Sequence, residues 1–358
     1  MDFDLIIANG ALVDGTGQPP RPADVGISGG RIAAIADLTS AAAAARLDAS
    51  GCVVSPGFID IHNHSDIALL ADGRAESMIR QGVTTQVTGN CGLTAAPVHD
   101  GVRTDLVRTL AGLEYGQPWP WNSFGQFLQA LRAAPKATHV APLVGHGAIR
   151  ACAMGFADRA PTRGEQDVMR RLAVEAMEAG AFGMSSGLVY PPGLYCATDE
   201  LVDLCRVVAR HDGIYASHVR GEANPVVESV REALRIAREA DVPVEISHHK
   251  AAGRENWGKV RTTYAMIAEA ARTRDVTYDI YPYTAGSAAL SQLVPPWAHA
   301  GGAEAMLARL RDPGVRPKIH HDVIHGTPEW NNFFVIDWRD IRLAYIHTEP
   351  HRWMTGLS

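Results

Sequence analysis

The apolar positions of this chain come first as short runs and later as long stripes, and that change divides it. Near the start, Leu5–Ala8, Ala11–Val13, Asp24–Ile27 and Arg31–Ile35 are short apolar runs. Asn9-Gly10, Asp14-Gly15 and Gly29-Gly30 separate them as turns. The pattern predicts a small β-sandwich unit over residues 1–55 with a purely structural role. The alanine run Ala41–Ala45 reads as a solvated link or a helical turn.

From Phe58 the period changes to strand, helix, strand. Predicted strands are Phe58–Ile61, Val83–Thr88, Ala137–Val144, Phe182–Ser185, Ile214–Ser217, Val242–Ser247 and Val276–Ile280. Predicted helices are Arg74–Gln81, Gly164–Ala179, Asp199–His211, Asn224–Ala240 and Arg261–Arg274. In Asn224–Ala240, Val227, Val230, Ala233, Leu234 and Ile236 recur at helical spacing and form a packing stripe without chemistry. Strands alternating with helices of this length imply a parallel sheet. The seven repeats counted from Phe58 stand one short of a (β/α)8 TIM-like barrel, which the reading assigns to residues 56–358. Beyond them a helix is expected over Ala303–Leu310 and short strands over Phe333–Ile336 and Leu343–Ile346, with no clear eighth strand–helix repeat.

Composition narrows the class. With 358 residues, 46% hydrophobic and 20% charged, the chain suits a globular α/β protein with one large barrel and an appendage. A net charge of -6 without a basic run argues against a nucleic-acid partner. Five scattered cysteines form no disulfide framework, so a reducing, cytoplasmic setting is expected. The first residues lack the positive region of a signal peptide, and no apolar run reaches the ~20 residues that span a bilayer.

Candidate chemistry appears when strand ends are compared. In a parallel barrel, functional side chains gather at the C-terminal ends of strands. His62 and His64 follow the first strand, in Ser55-Pro-Gly-Phe-Ile-Asp-Ile-His-Asn-His64, and point to one side of an extended backbone. Cys91 follows the second, His218 the fifth and His248 the sixth. Thiolate and imidazole are the ligand types that zinc prefers, and five of them at strand ends imply a metal site. His249 would point away from His248, and Cys52, Cys152, Cys196 and Cys205 read as small buried residues.

These residues sit in a series of motifs. They are Gln81-Gly-Val-Thr-Thr85, Gly89-Asn-Cys-Gly92, Gly145-His-Gly147, Ser186-Gly-Leu-x-Tyr-Pro-Pro192, Ser217-His-x-Arg-Gly-Glu222, Ser247-His-His-Lys250 and Tyr281-Pro-Tyr283. In this order, over residues 1 to about 300, the chain resembles the D-aminoacylase or N-acyl-D-amino-acid deacylase family of the amidohydrolase superfamily. The resemblance implies a tightly bound zinc on Cys91, His218 and His248, and a second, weaker site on His62 and His64 that Cys91 can bridge. It also places Lys250, Tyr190 and Tyr283 along a small-molecule N-acyl-amino acid, with Lys250 and Tyr283 near its carboxylate. The activity it implies is hydrolysis of the amide of N-acyl-D-amino acids by a metal-activated water. Hydrolysis of a cyclic amide or dipeptide, or zinc binding without turnover, remain the alternatives.

The chain departs from that pattern at its end. The family carries a catalytic aspartate after strand eight, in a Ser-Asp-Gly or similar context, and an arginine further on. Neither motif occurs, and Asp337 is a loose candidate followed by an unfitting Trp338-Arg339. The returning strands of the small β unit are not evident, so the barrel is expected to be incomplete at the C-terminus. Ser287–Ala300 holds no arginine, which favours neutral or hydrophobic D-residues over D-glutamate.

Overall fold

The computed structural model describes residues 2–109, 119–327, 330, 338–346 and 348–358. The chain forms two compact units, Met1–Ile59 with Gly82–Thr84, and Asp60–Gln81 with Thr85–Ser358.

The first strands are β1 (Phe3–Ala8), β2 (Ala11–Leu12), β3 (Arg21–Pro22), β4 (Asp24–Ser28), β5 (Arg31–Ala36), β6 (Ala43–Asp48) and β7 (Val53–Val54). They build two sheets, β5-β4-β1-β6 and β3-β2-β7. Phe3, Ile6, Ala8 and Leu38 form a small core of their own. The expectation for Ala41–Ala45 is corrected here. Ala43–Asp48 is a strand parallel to β1, from Phe3↔Ala43 to Ala8↔Asp48. Alanine has little β preference of its own, so pairing decides. The Arg46 guanidinium fixes the approach by donating to the Leu38 and Ala41 carbonyls at 2.7 and 2.6 Å. Cys52 is exposed, not buried as expected, because it stands in the turn before β7.

The later strands are β8 (Phe58–Asp60), β9 (Val83–Thr88), β10 (His139–Pro142), β11 (Val144–Gly145), β12 (Gly183–Gly187), β13 (Ile214–His218), β14 (Val244–Ile246) and β15 (Val276–Tyr278). They lie in the orders β10-β9-β8 and β11-β12-β13-β14-β15, the second sheet wholly parallel. β10 and β11 are one run interrupted at Leu143, whose amide still donates to the Thr88 carbonyl at 2.9 Å. The seven expected strands are thus all present. Register brings their C-terminal ends level: Gly187 pairs with His218, and Ser217 with Ile246.

The helices are α1 (Ala68–Ala71), α2 (Glu76–Ile79), α3 (Asp100–Thr109), α4 (Phe124–Ala133), α5 (His146–Met154), α6 (Arg163–Ala179), α7 (Thr198–Ala209), α8 (Val226–Ala240), α9 (Lys259–Ala270), α10 (Ala303–Arg311) and α11 (Arg316–His325). α6 starts on a Thr162/Glu165 capping box and ends at Gly180 in the left-handed region, as a well-signalled helix should. α8 buries Val230, Ala233 and Ile236 of its stripe. Together with Met169, Met184 and Leu204 these side chains belong to the large core. Of the helix expected over Arg74–Gln81, four residues are helical. The stretch Leu343–Ile346 is irregular, not a strand: Leu343 exchanges backbone hydrogen bonds with Gly356 and Leu357 instead. Phe333–Ile336 lies outside the described residues, as does Asp337. Among the described residues no eighth strand extends the parallel set. No helix among them is long and apolar enough to cross a membrane.

Candidate metal centre

Four loops at strand ends supply the site. After β8, the His62 amide donates to Asp60 Oδ1 at 3.1 Å and the Ser65 amide to Asn63 Oδ1 at 3.0 Å, curling the chain so that both histidines face inward. Their rings meet edge-on with centroids 5.6 Å apart. After β9, Gly89, Cys91 and Gly92 all have positive φ, +76°, +57° and +69°. This tight reversal buries Cys91, and the Gly92 amide is anchored to Ser185 Oγ at 2.9 Å. A side-chain carbon on Gly187 would collide with the Cys91 carbonyl oxygen, so that glycine is needed for the loop to seat against β12. His218 ends β13, and His248 follows β14 with φ +38°.

These side chains converge. His248 Nε2 lies 2.9 Å from His218 Nδ1 and 3.7 Å from Cys91 Sγ. Cys91 Sγ lies 3.4 Å from His62 Nε2. The donor atoms of Cys91, His218 and His248 all lie within 4.8 Å of one another, and so do those of His62, His64 and Cys91. Cys91 is therefore common to two adjoining sets of three donors.

Electrostatics fit a cation there. Burial, with His62 and His248 adding to it, pulls the His64 imidazole down to about 4. Burial and the neighbouring His248 hold His218 well below its ordinary value. Both rings are neutral at pH 7 and keep a lone pair. Burial pushes the Cys91 thiol far up, and the Glu222 and Asp279 carboxylates push it further. Only a cation close to the sulfur would keep it ionised. His64 Nδ1 and His218 Nε2 are buried without a hydrogen-bond partner.

Two carboxylates stand behind the imidazoles. Glu222 Oε1 lies 2.7 Å from His248 Nδ1 and accepts from Lys250 Nζ at 2.6 Å, and that Nζ stands 3.0 Å from the same Nδ1. Against a burial that raises it, the His248 hydrogen bond and the nearby His218, His248 and Lys250 bring the Glu222 carboxyl to about 2. Asp279, just past β15, has Oδ2 2.8 Å from His62 Nδ1 and accepts the His248 amide on Oδ1 at 2.6 Å. The sequence reading gave neither residue a role. Glu222 closes a quoted motif, and Asp279 lies inside the strand expected over Val276–Ile280, which ends at Tyr278 in the structure.

The other expected residues are spread more widely. Lys250 Nζ also donates to the His248 carbonyl at 3.1 Å and lies 5.2 Å from the Tyr281 ring centre. The Tyr190 ring stands 4.9 Å from that of His218, and burial raises its phenol well above the ordinary value. Tyr283 is 73% exposed and stacks on Tyr281. His249 turns away and pairs with Thr263 Oγ1 at 2.8 Å. A third cluster, His146, Cys196 and Glu200, is fully buried. There Glu200 bridges His146 Nε2 at 2.8 Å and the Arg150 guanidinium, so its charge is already neutralised by a protein cation.

Comparison with known proteins follows the same geometry. The model of the "Amidohydrolase family" matches residues 46–326. The chain belongs to the amidohydrolase family. It is 47% identical over 290 residues to a D-aminoacylase from Alcaligenes xylosoxydans xylosoxydans, covering 81% of this chain and 59% of that protein. A D-aminoacylase crystal structure, described as defining a novel subset of amidohydrolases, superposes with TM-score 0.75 at 44% identity over 79% of this chain and 59% of that one. An N-acyl-D-glutamate deacylase from Bordetella bronchiseptica, solved with zinc and a phosphonate that mimics the tetrahedral intermediate, gives TM-score 0.75 at 40% identity with the same coverage. The α/β architecture of this chain is thus that of the amidohydrolase fold, and the chain spans 59% of the length of these relatives.

Proposed function

We propose that this chain carries the metal-binding and substrate-holding part of a zinc-dependent hydrolase that cleaves the amide of N-acyl-D-amino acids, giving a carboxylate and a free D-amino acid. The observation that carries this reading is the meeting of Cys91 Sγ with the ring nitrogens of His218 and His248 within 4.8 Å. Cys91, His218 and His248 would hold the tight ion, and His62 and His64 a weaker one that shares Cys91. Zinc bound there supplies a Lewis acid for the scissile carbonyl and an activated water. The donor set fits it: one thiolate, neutral imidazoles, and buried ring nitrogens without other partners.

The protein's own part is orientation. Glu222 Oε1, 2.7 Å from His248 Nδ1, favours the proton on that nitrogen and so leaves the Nε2 lone pair for the ion. Lys250 spends one N–H on Glu222 and one on the His248 carbonyl. Nζ also stands 3.0 Å from His248 Nδ1, and with the proton on that nitrogen the third N–H would serve a substrate carboxylate. Tyr190, packed edge-on to His218, would supply a hydroxyl to the substrate, and Tyr283 an exposed aromatic face. The proton-accepting aspartate implied by the family resemblance is not assigned, since Asp337 lies outside the described residues. We assign residues 1–55 to a structural β unit and 56–358 to the metal-dependent barrel. Five unpaired cysteines support a reducing, cytoplasmic location.

The test is release of acetate from N-acetyl-D-methionine by the zinc-loaded chain, compared with N-acetyl-L-methionine and a hydantoin. The D-isomer should be cleaved and the hydantoin left intact. Opening of the hydantoin alone, or bound zinc with no turnover of any N-acyl-amino acid, would refute the reading.

A further inference from the structure

The Asp279 carboxylate faces both donor sets at once. Its Oδ2 lies 2.8 Å from His62 Nδ1 and its Oδ1 accepts the backbone amide of His248 at 2.6 Å. His62 belongs to the set completed by His64, and His248 to the set completed by His218. We infer that Asp279 is a positioning residue that couples the two ion sites, fixing the ring of His62 for the weaker one and the backbone of His248 for the tighter one. The inference rests on the two-site reading proposed above.

The two contacts act by different physics. A carboxylate oxygen 2.8 Å from His62 Nδ1 favours the tautomer with the proton on that nitrogen. Nε2, which points at Cys91 Sγ from 3.4 Å, is left with its lone pair for an ion. On the other side the carboxylate pins an amide, not a ring. His248 has φ +38°, a left-handed conformation that L-residues with a side chain adopt only when held. The Asp279 contact is what turns the chain there, two residues beyond β14, so that His248 faces His218 and Cys91. The main chain of Asp279 is fixed separately. Its amide donates to the Ile246 carbonyl at 3.1 Å and its carbonyl accepts from the His249 amide at 2.8 Å. Changing the side chain therefore leaves the strand pairing in place.

This separation makes two substitutions informative. In Asp279→Asn the amide oxygen still accepts the His248 N–H, while the new NH2 faces His62 Nδ1. That forces the His62 proton onto Nε2, the nitrogen meant for an ion. In Asp279→Ala both contacts vanish. The experiment strips the 358-residue chain with a chelator and titrates it with cobalt(II), following the thiolate charge-transfer absorbance of Cys91 and the number of ions bound. Circular dichroism checks the fold, and His62→Ala serves as a marker of the weaker site.

Wild type should take two ions. Asp279→Asn should keep the first within about threefold and weaken the second by about 10–100-fold, as His62→Ala does. Asp279→Ala should weaken both. The inference is overturned if Asp279→Asn binds both ions like wild type, if it loses the first ion instead, or if wild type binds only one. A wild-type chain that binds no ion would refute the metal-centre reading itself, an outcome distinguishable from the rest.

Discussion

Lys250 Nζ and Glu222 Oε1 are 2.6 Å apart, so the lysine expected to meet a substrate carboxylate already rests against a buried one. The same oxygen receives His248 Nδ1 at 2.7 Å. One carboxylate thus holds the ring proposed to face the metal and the ammonium proposed to face the substrate in fixed relation. Lys250→Met should raise KM with a smaller change in kcat, because a charge-assisted hydrogen bond of about 1.5–3 kcal/mol is lost from substrate binding. Glu222→Gln should instead weaken zinc binding by about 10–100-fold, through His248. Steady-state kinetics at saturating zinc, alongside metal titration, separate the two. Equal loss of kcat and kcat/KM in Lys250→Met would place the lysine in the transition state instead.

Zinc should stabilise the fold as well as activate it. Neutral buried imidazoles and a protonated thiol crowd together when no cation is bound. At free zinc 100-fold above the dissociation constant, the folded state gains about 2.7 kcal/mol. Thermal unfolding should shift upward with zinc and return with a chelator. Cys91→Ala should abolish that response, and a response that survives the substitution would place the ion elsewhere.

Gly187 offers no side chain to the centre, yet Gly187→Ala should disturb it. A methyl there meets the Cys91 carbonyl and the Tyr190 ring. Displacing the cysteine loop by about 1 Å is enough to cost on the order of 100-fold in activity. Metal analysis of the purified variant should show less zinc per chain than wild type, with the secondary-structure spectrum unchanged.

The buried cluster of His146, Arg150 and Glu200 gives a stability prediction with a pH sign. Glu200→Gln leaves the Arg150 charge without its partner and should cost about 3–5 kcal/mol. Although burial raises it, contacts with His146 and Arg150 bring the folded Glu200 carboxyl below its ordinary 4.5. Its contribution is therefore complete above that value and lost as pH falls through the lower folded one. The difference in unfolding free energy between wild type and variant should be constant near pH 7 and shrink below about pH 4.5. A difference that grows on acidification would reverse the assignment.

Much of the parallel sheet and the converging donors were legible in the sequence, because both follow local rules. β-branched runs such as Val83–Thr88 declare strands, and the strand-end rule lines up Cys91, His218 and His248. What escaped depends on partners. Ala43–Asp48 became a strand because β1 pairs with it, a fact no alanine run announces. Helix α4 was missed despite its Ser123/Gln126 capping box, which lies beside a Trp- and Pro-rich stretch. Asp279 and Glu222 were unremarkable acids until the fold put each one against a histidine.

The positive φ values at Cys91 and His248 limit which side chains can ever replace them. β-branched residues are excluded there, whereas aspartate and asparagine tolerate left-handed backbone. The one exchange at position 91 that keeps both the loop and an anionic donor is therefore sulfur for carboxylate. A Cys91→Asp chain should retain its shape while moving its metal preference from zinc toward harder ions such as manganese. Backbone handedness, as much as ligand chemistry, thus sets the range of elements this centre can be redesigned to hold.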